Sequence, residues 1–181
     1  MRRLFAVTVV VLLSSAMFFV VVCAGGDLVT KPYKANWTGT LYVLGLCSED
    51  GAVRTINVGK GVSSLMGKSD FLFEYCISFD QATLRMTGSG WGIITGADGD
   101  TIHISADVTA DLTKNPPEWS ETEFVVGGTG KFEGATGSGD SGGIWTSGTD
   151  PFPFGNSPPI PPLLIQAPQG WVGTTEGDIT F

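Results

Sequence analysis

The residues that most invite a chemical reading lie in "VVGGTGKFEGATGSGD", Val125 to Asp140, where six glycines occur in sixteen positions and Gly130 stands beside Lys131. Glycine next to lysine suits a phosphate cradle, and glycine alone suits a tight turn. A Walker loop needs a glycine five residues before its Gly-Lys pair and Ser or Thr after it. Here those places hold Val125 and Phe132. A dinucleotide fingerprint beginning at Gly128 and Gly130 would need its third glycine where Glu133 stands, at the start of a helix. A calcium-binding nonapeptide turn would need an acid at Phe132. All three readings fail, which leaves strand reversal. Gly127, Gly128 and Gly130 supply the turn, Phe132 plugs the core, and Gly134 and the small residues to Gly139 let the next strand lie close or bend.

Three other side chains are candidates for catalysis. His103 is the only histidine, and Asp107 shares its polar face in "TIHISADVT". Glu74 lies opposite the aromatic face of "SDFLFEYCISFD". If those faces turn into an enclosed space they line a pocket, and if they turn outward they meet solvent. No nucleophile–base–acid set surrounds His103. "GADGD" (Gly96–Asp100) lacks the further oxygen ligands and the closing glutamate of a calcium loop and reads as a turn. No metal site and no cofactor is expected. Cys47 and Cys76 remain as a pair once Cys23 is set aside, and form either a disulfide or two buried thiols.

These groups must be placed by strands. Thr, Ser, Val, Ile and 26 glycines give the chain a β composition. In "SDFLFEYCISFD", Phe71, Phe73, Tyr75, Ile77 and Phe79 alternate with Leu72, Glu74, Cys76 and Ser78, and the first set reads as core. "ANWTGTLYVLGL" (Ala35–Leu46), "AVRTINV" and "SETEFVV" read as further strands, with Asp50-Gly51 and Asp98-Gly99 as hairpin turns. On the strand after "GADGD", Ile102, Ile104, Ala106 and Val108 share one face, and Thr101, His103, Ser105, Asp107 and Thr109 the other. "KNPPEW" is a loop, and "GWVGTTEGDITF" a terminal strand. Seven of the ten prolines crowd into a long excursion at about residues 146–170. Asn36-Trp37-Thr38 is a glycosylation sequon for a eukaryotic secretory route. Many strands with closely spaced turns imply a sandwich or a barrel.

Residues 1–24 read as a signal peptide: Arg2 and Arg3, an apolar run from Leu4 to Val22, then a cleavage site after Ala24. Two alternatives remain. The run 4–22 is long enough to be an uncleaved membrane anchor, and Cys23 could carry lipid. Each places the domain outside the cytoplasm, secreted or in the periplasm or cell envelope. Residues 25–34 follow as a leader, and 35–181 form one domain. The net charge of -8 opposes a phosphate backbone and excludes nucleic acid as a partner. Membrane contact is confined to the N-terminal segment or a lipid, and nothing in the sequence fixes an oligomeric state.

"GGTGKFEGATGSG" resembles the glycine-rich signature of allene oxide cyclase-like and dirigent-like barrels and, more closely, of bacterial secreted proteins of unassigned function. "GVSSLMGKS" (Gly61–Ser69) and "GADGD" precede it in the family's order, and "GTTEGDITF" closes the chain in a similar way. The sequence departs from the pattern at Ser64 and Met66 and in the proline-rich insertion. The resemblance covers about residues 35–181 and implies a single antiparallel barrel of about eight strands. It carries no activity. The expected function is a non-catalytic envelope protein that binds a small apolar ligand or a partner, or is structural. The alternative is a cyclase or isomerase acting in the barrel lumen, with dirigent-like guidance of radical coupling as a third option.

Overall fold

The computed structural model describes residues 28–47, 51–146 and 169–181. The signal-like residues 1–24 and most of the proline-rich insertion lie outside the described residues. Eight strands follow one another along the chain: β1 (Thr30–Leu46), β2 (Val53–Ser63), β3 (Gly67–Asp80), β4 (Arg85–Gly96), β5 (Thr101–Asp111), β6 (Glu118–Gly128), β7 (Thr136–Trp145) and β8 (Gln169–Thr180). Each pairs antiparallel with the next, and β8 returns to β1 from Thr30↔Thr180 to Leu41↔Gln169, closing the barrel. Closure leaves no free sheet edge, as the sequence led us to expect. Among the described residues the single helical element is a short 3-10 turn, Gly130–Phe132.

The inward face is mainly apolar, with Thr55, Glu121, Glu123, Ser141 and Thr175 among its polar residues, and the outer face mixes polar side chains with exposed Leu72, Trp91, Phe124 and Val126. Phe71, Phe73, Tyr75 and Ile77 all point to the core, as their period predicts. The opposing strands make room with glycine. Phe73 faces Gly92, and Tyr75 faces Gly90. A Cβ on Gly92 would lie 2.4 Å from the Phe73 ring, and one on Gly90 2.5 Å from the Tyr75 ring. The rings therefore rest on backbone rather than on side chains.

Two boundaries differ from the sequence reading. β1 begins at Thr30, inside the segment read as a leader. β2 pairs with β1 only from Ala35 onward. At Pro32 the ladder has a neighbour on one side alone, where a missing N–H is tolerated. β2 runs on past "AVRTINV" to Ser63, because Gly59 and Gly61 give space to Phe71 and Trp37 without ending the strand.

One end of the barrel carries the 64–66, 97–100 and 129–135 connections. Phe132 plugs it, fully buried and edge-on to Phe181 with ring centroids 5.0 Å apart. The opposite end carries the 47–52, 81–84 and 112–117 loops, and the chain leaves there at Thr146 and returns at Gln169.

Cys47 and Cys76 form a disulfide with 5.8 Å between their Cα atoms. β1 and β3 are not neighbours. Each pairs with β2, so the bond crosses the start of β2 and ties three strands on the outer surface. The sequence separation is 29 residues. Closing a loop of that size restricts the unfolded chain by about 3–4 kcal/mol. A Cys47→Ser/Cys76→Ser variant is expected to lose stability of that order, read as a lower denaturation midpoint in urea, with a somewhat steeper slope because the unfolded chain is freed to expand.

Candidate functional site

The glycine-rich stretch is a clamp at the plugged end. Gly130 has φ +60°, and a Cβ there would fall 1.8 Å from Asp100 Oδ1. Lys131 Nζ reaches Asp98 Oδ2 at 2.6 Å and Asp100 Oδ2 at 3.7 Å. The lysine holds the Asp98 carboxyl below its ordinary range. Thr129 Oγ1 adds a 2.9 Å bond with Thr101 Oγ1. The two turns that looked separate in sequence, "GADGD" and "GGTGKF", are thus bound to each other, and the lysine is engaged there.

The three catalytic candidates are not brought together in the lumen. Glu74 is on the outer face of β3, where Arg54 Nε and Nη2 donate to its carboxylate at 2.7 and 3.0 Å and hold its carboxyl below the usual range. His103 is half-buried on the outer face of β5, sharing a 3.0 Å hydrogen bond with Thr101 Oγ1. Asp107, further along that face, is exposed. The pocket imagined for these residues is corrected: their neighbours Phe73, Tyr75, Ile102, Ile104 and Ala106 occupy the inward positions, so period two sends all three outward.

The inward carboxylates belong to β6. Trp119, Glu121, Glu123 and Val125 point into the barrel, while Ser120, Thr122, Phe124 and Val126 point out. Glu121 and Glu123 are 9% and 7% exposed. Tyr75 Oη donates to Glu121 Oε1 at 2.5 Å. Ser141 Oγ, from β7, donates to Glu123 Oε1 and shares a 2.6 Å bond with Thr175 Oγ1 of β8. Trp37 Nε1 donates to Thr175 Oγ1 at 3.0 Å and completes the chain of contacts.

A cavity of about 60 Å³ adjoins the pair, in the half of the barrel nearest the 81–84 and 112–117 loops. A single water needs roughly 10–15 Å³, so there is space for a small organic group. Its walls are aromatic and aliphatic, with Glu121, Glu123, Tyr75 and Asn57 as the polar groups of note. It exists because β5 presents Val108 and Ala110 where β3 presents large rings.

Burial pushes the Glu121 carboxyl up to about 8, with the charge of Glu123 adding to it and the Tyr75 bond opposing it. Burial likewise pushes Glu123 up to about 7, against the hydrogen bonds from Ser141 and Thr175. Tyr75 is raised well above the ordinary phenol range by burial and then by the charge of Glu121. At neutral pH the pair therefore holds a proton, an arrangement able to donate or accept one in an apolar space.

Sequence reasoning missed both glutamates. In "SETEFVV", Phe124 and Val126 look like the core face, which would send the acids outward. The available signal was parity with Trp119, whose size suits the interior and which shares a face with Glu121 and Glu123.

A scan of the chain against models of protein families gives no match, and a search of curated proteins gives none.

The pair makes stability depend on pH. In the unfolded chain both acids take ordinary values near about 4.3. Above that the folded state holds protons that the unfolded state has released. The stabilisation is therefore complete below the unfolded value and is lost as pH rises through about 7 and about 8. The melting temperature is expected to fall between pH 5.5 and 8.5, and Glu121→Gln/Glu123→Gln to flatten that fall. A melting temperature that rises across the interval would contradict the assignment.

Proposed function

We propose that the protein is an extracytoplasmic β-barrel that binds a small, predominantly apolar ligand in its lumen without transforming it. The observation that carries this reading is the aromatic cavity beside Glu121 and Tyr75: apolar walls with a few convergent polar groups are the usual make-up of a ligand pocket. The setting is supported by the disulfide, a bond kept in oxidising compartments, and by the signal-like residues 1–24. No described helix is long and apolar enough to cross a membrane. The resemblance to secreted allene oxide cyclase-like and dirigent-like barrels fits the same reading, and the acidic balance argues against nucleic acid as a partner.

A second reading, a luminal isomerase or cyclase, is favoured by one contact. Tyr75 Oη lies 2.5 Å from Glu121 Oε1 at the cavity wall, a proton-transfer pair in an apolar space.

Native mass spectrometry of protein purified from its own host tests the binding reading. A retained small molecule is expected, and Ala110→Phe, which fills the cavity, should remove it. Equal retention by that variant would place the ligand elsewhere and sink the luminal proposal. Glu121→Gln separates the two readings: it should abolish turnover of the retained molecule if the barrel is an isomerase, and only weaken binding if it is a carrier.

A further inference from the structure

We infer that the ligand carried in the lumen is a small organic cation, an alkylammonium ion that sets its charge between Glu121 and Glu123 and its hydrocarbon part against the aromatic walls. This rests on the luminal-ligand reading and names the chemical class of that ligand.

The first argument is a missing countercharge. Buried carboxylates in proteins are ordinarily paired with a cation or bound to a metal. Here the groups facing the pair are Tyr75 from β3, Tyr33 from β1, Ser141 from β7 and Thr175 from β8, with Asp140 acting on Glu123 from the outer side of β7. β5 contributes Ala106 and Val108 opposite Glu123 and Glu121. None of these is cationic. The arginines and lysines that pair with acids in the barrel (Arg54, Arg85, Lys34 and Lys131) do so on the outer surface. Among the described residues, Tyr75 is the one side-chain donor to Glu121, which leaves most of that carboxylate's acceptor capacity facing the cavity.

The second argument is the wall. Trp37, Phe71, Phe73, Trp119, Trp145 and Trp171 line the same cavity. Aromatic faces attract cations through the ring quadrupole, most strongly when the cation is desolvated. A hydrated metal ion is a poor occupant, because hard cations take six to eight oxygen ligands and the cavity offers few. An alkylammonium has what the site lacks, a positive charge on an apolar body. Its entry displaces the protons that the carboxyls hold, so binding strengthens as pH rises.

The test is calorimetric titration of the purified full-length protein with n-butylammonium, n-butanol and butyrate between pH 5.5 and 8.5. The three probes share one chain and differ in charge. Butylammonium is expected to bind about tenfold or more tighter than butanol at pH 8.5, the least one close charge contact provides. Its affinity should weaken as pH is lowered, by up to about tenfold per unit for each proton displaced. Butyrate should bind least. Glu121→Gln/Glu123→Gln, which keeps the side-chain shapes, should lose the preference for butylammonium over butanol. Butylammonium and butanol binding alike at every pH would overturn the cation inference and leave the luminal ligand standing. Heat and tryptophan fluorescence unchanged by every probe would overturn both.

Discussion

Everything else in this barrel depends on aromatic rings packed against glycine backbone. A closed eight-stranded barrel has an interior just wide enough for side chains to fill. Phe71, Phe73 and Tyr75 project into it from one strand, and glycines on the neighbouring strands make room for their rings. β4 answers with Gly90 and Gly92, and β1 and β2 answer Phe71 with Gly39 and Gly59. Trp119 lies in the same way against Gly143 and Gly173. The high glycine content of the chain is thus a packing device as much as a turn device. It also makes the filling uneven: Phe132 and Met66 complete the interior at one end, while Val108 and Ala110 leave it short at the other. The small side chains of Val108 and Ala110 lie in the wall of the cavity.

Into that gap the chain directs two carboxyls. A barrel that needed only stability would place apolar residues at 121 and 123, since buried ionisable groups are costly and replacing them with well-packed apolar ones is often neutral or better. The cost here is partly offset by Tyr75, Ser141 and Thr175, contributed by three different strands. Building such a network requires the register of β3, β6, β7 and β8 to agree. A local rule broken with that much support is the mark of a functional position rather than an accident of packing.

The sequence made the scaffold more legible than the site, for a reason visible strand by strand. β3 is readable because its two faces differ sharply, aromatic on one and mixed polar on the other. The Asp98-Gly99 hairpin depends on local spacing and was equally readable, whereas Cys47 and Cys76 were legible as a pair but not as a bond. Glu74, His103 and Asp107 could be assigned to faces, and the same alternation already put apolar neighbours on the opposite faces, so their outward direction followed once the apolar sets were taken as core. β6 defeats this logic. Both of its faces carry large apolar residues, Trp119 and Val125 on one and Phe124 and Val126 on the other. Which face is inward is decided by pairing, with Ala106 opposite Glu123 and Val108 opposite Glu121, and pairing between strands is not a local property. Phe124 and Val126 remain exposed at 45% and 64%, so hydrophobicity alone points the wrong way.

The glycine-rich stretch and the cavity lie at opposite ends of the same barrel, and that separation limits what a family resemblance can say. Gly130, Lys131 and Phe132 fasten the plugged end: one accommodates Asp100, one pairs with Asp98, and one fills the core. None of them lines the cavity. Changes in the cavity-lining residues would leave this clamp intact, and changes in the clamp would unseat the plug without touching the glutamates. In this chain the glycine-rich stretch builds the closed end, while the interior positions of β3, β5 and β6 form an acidic, aromatic pocket.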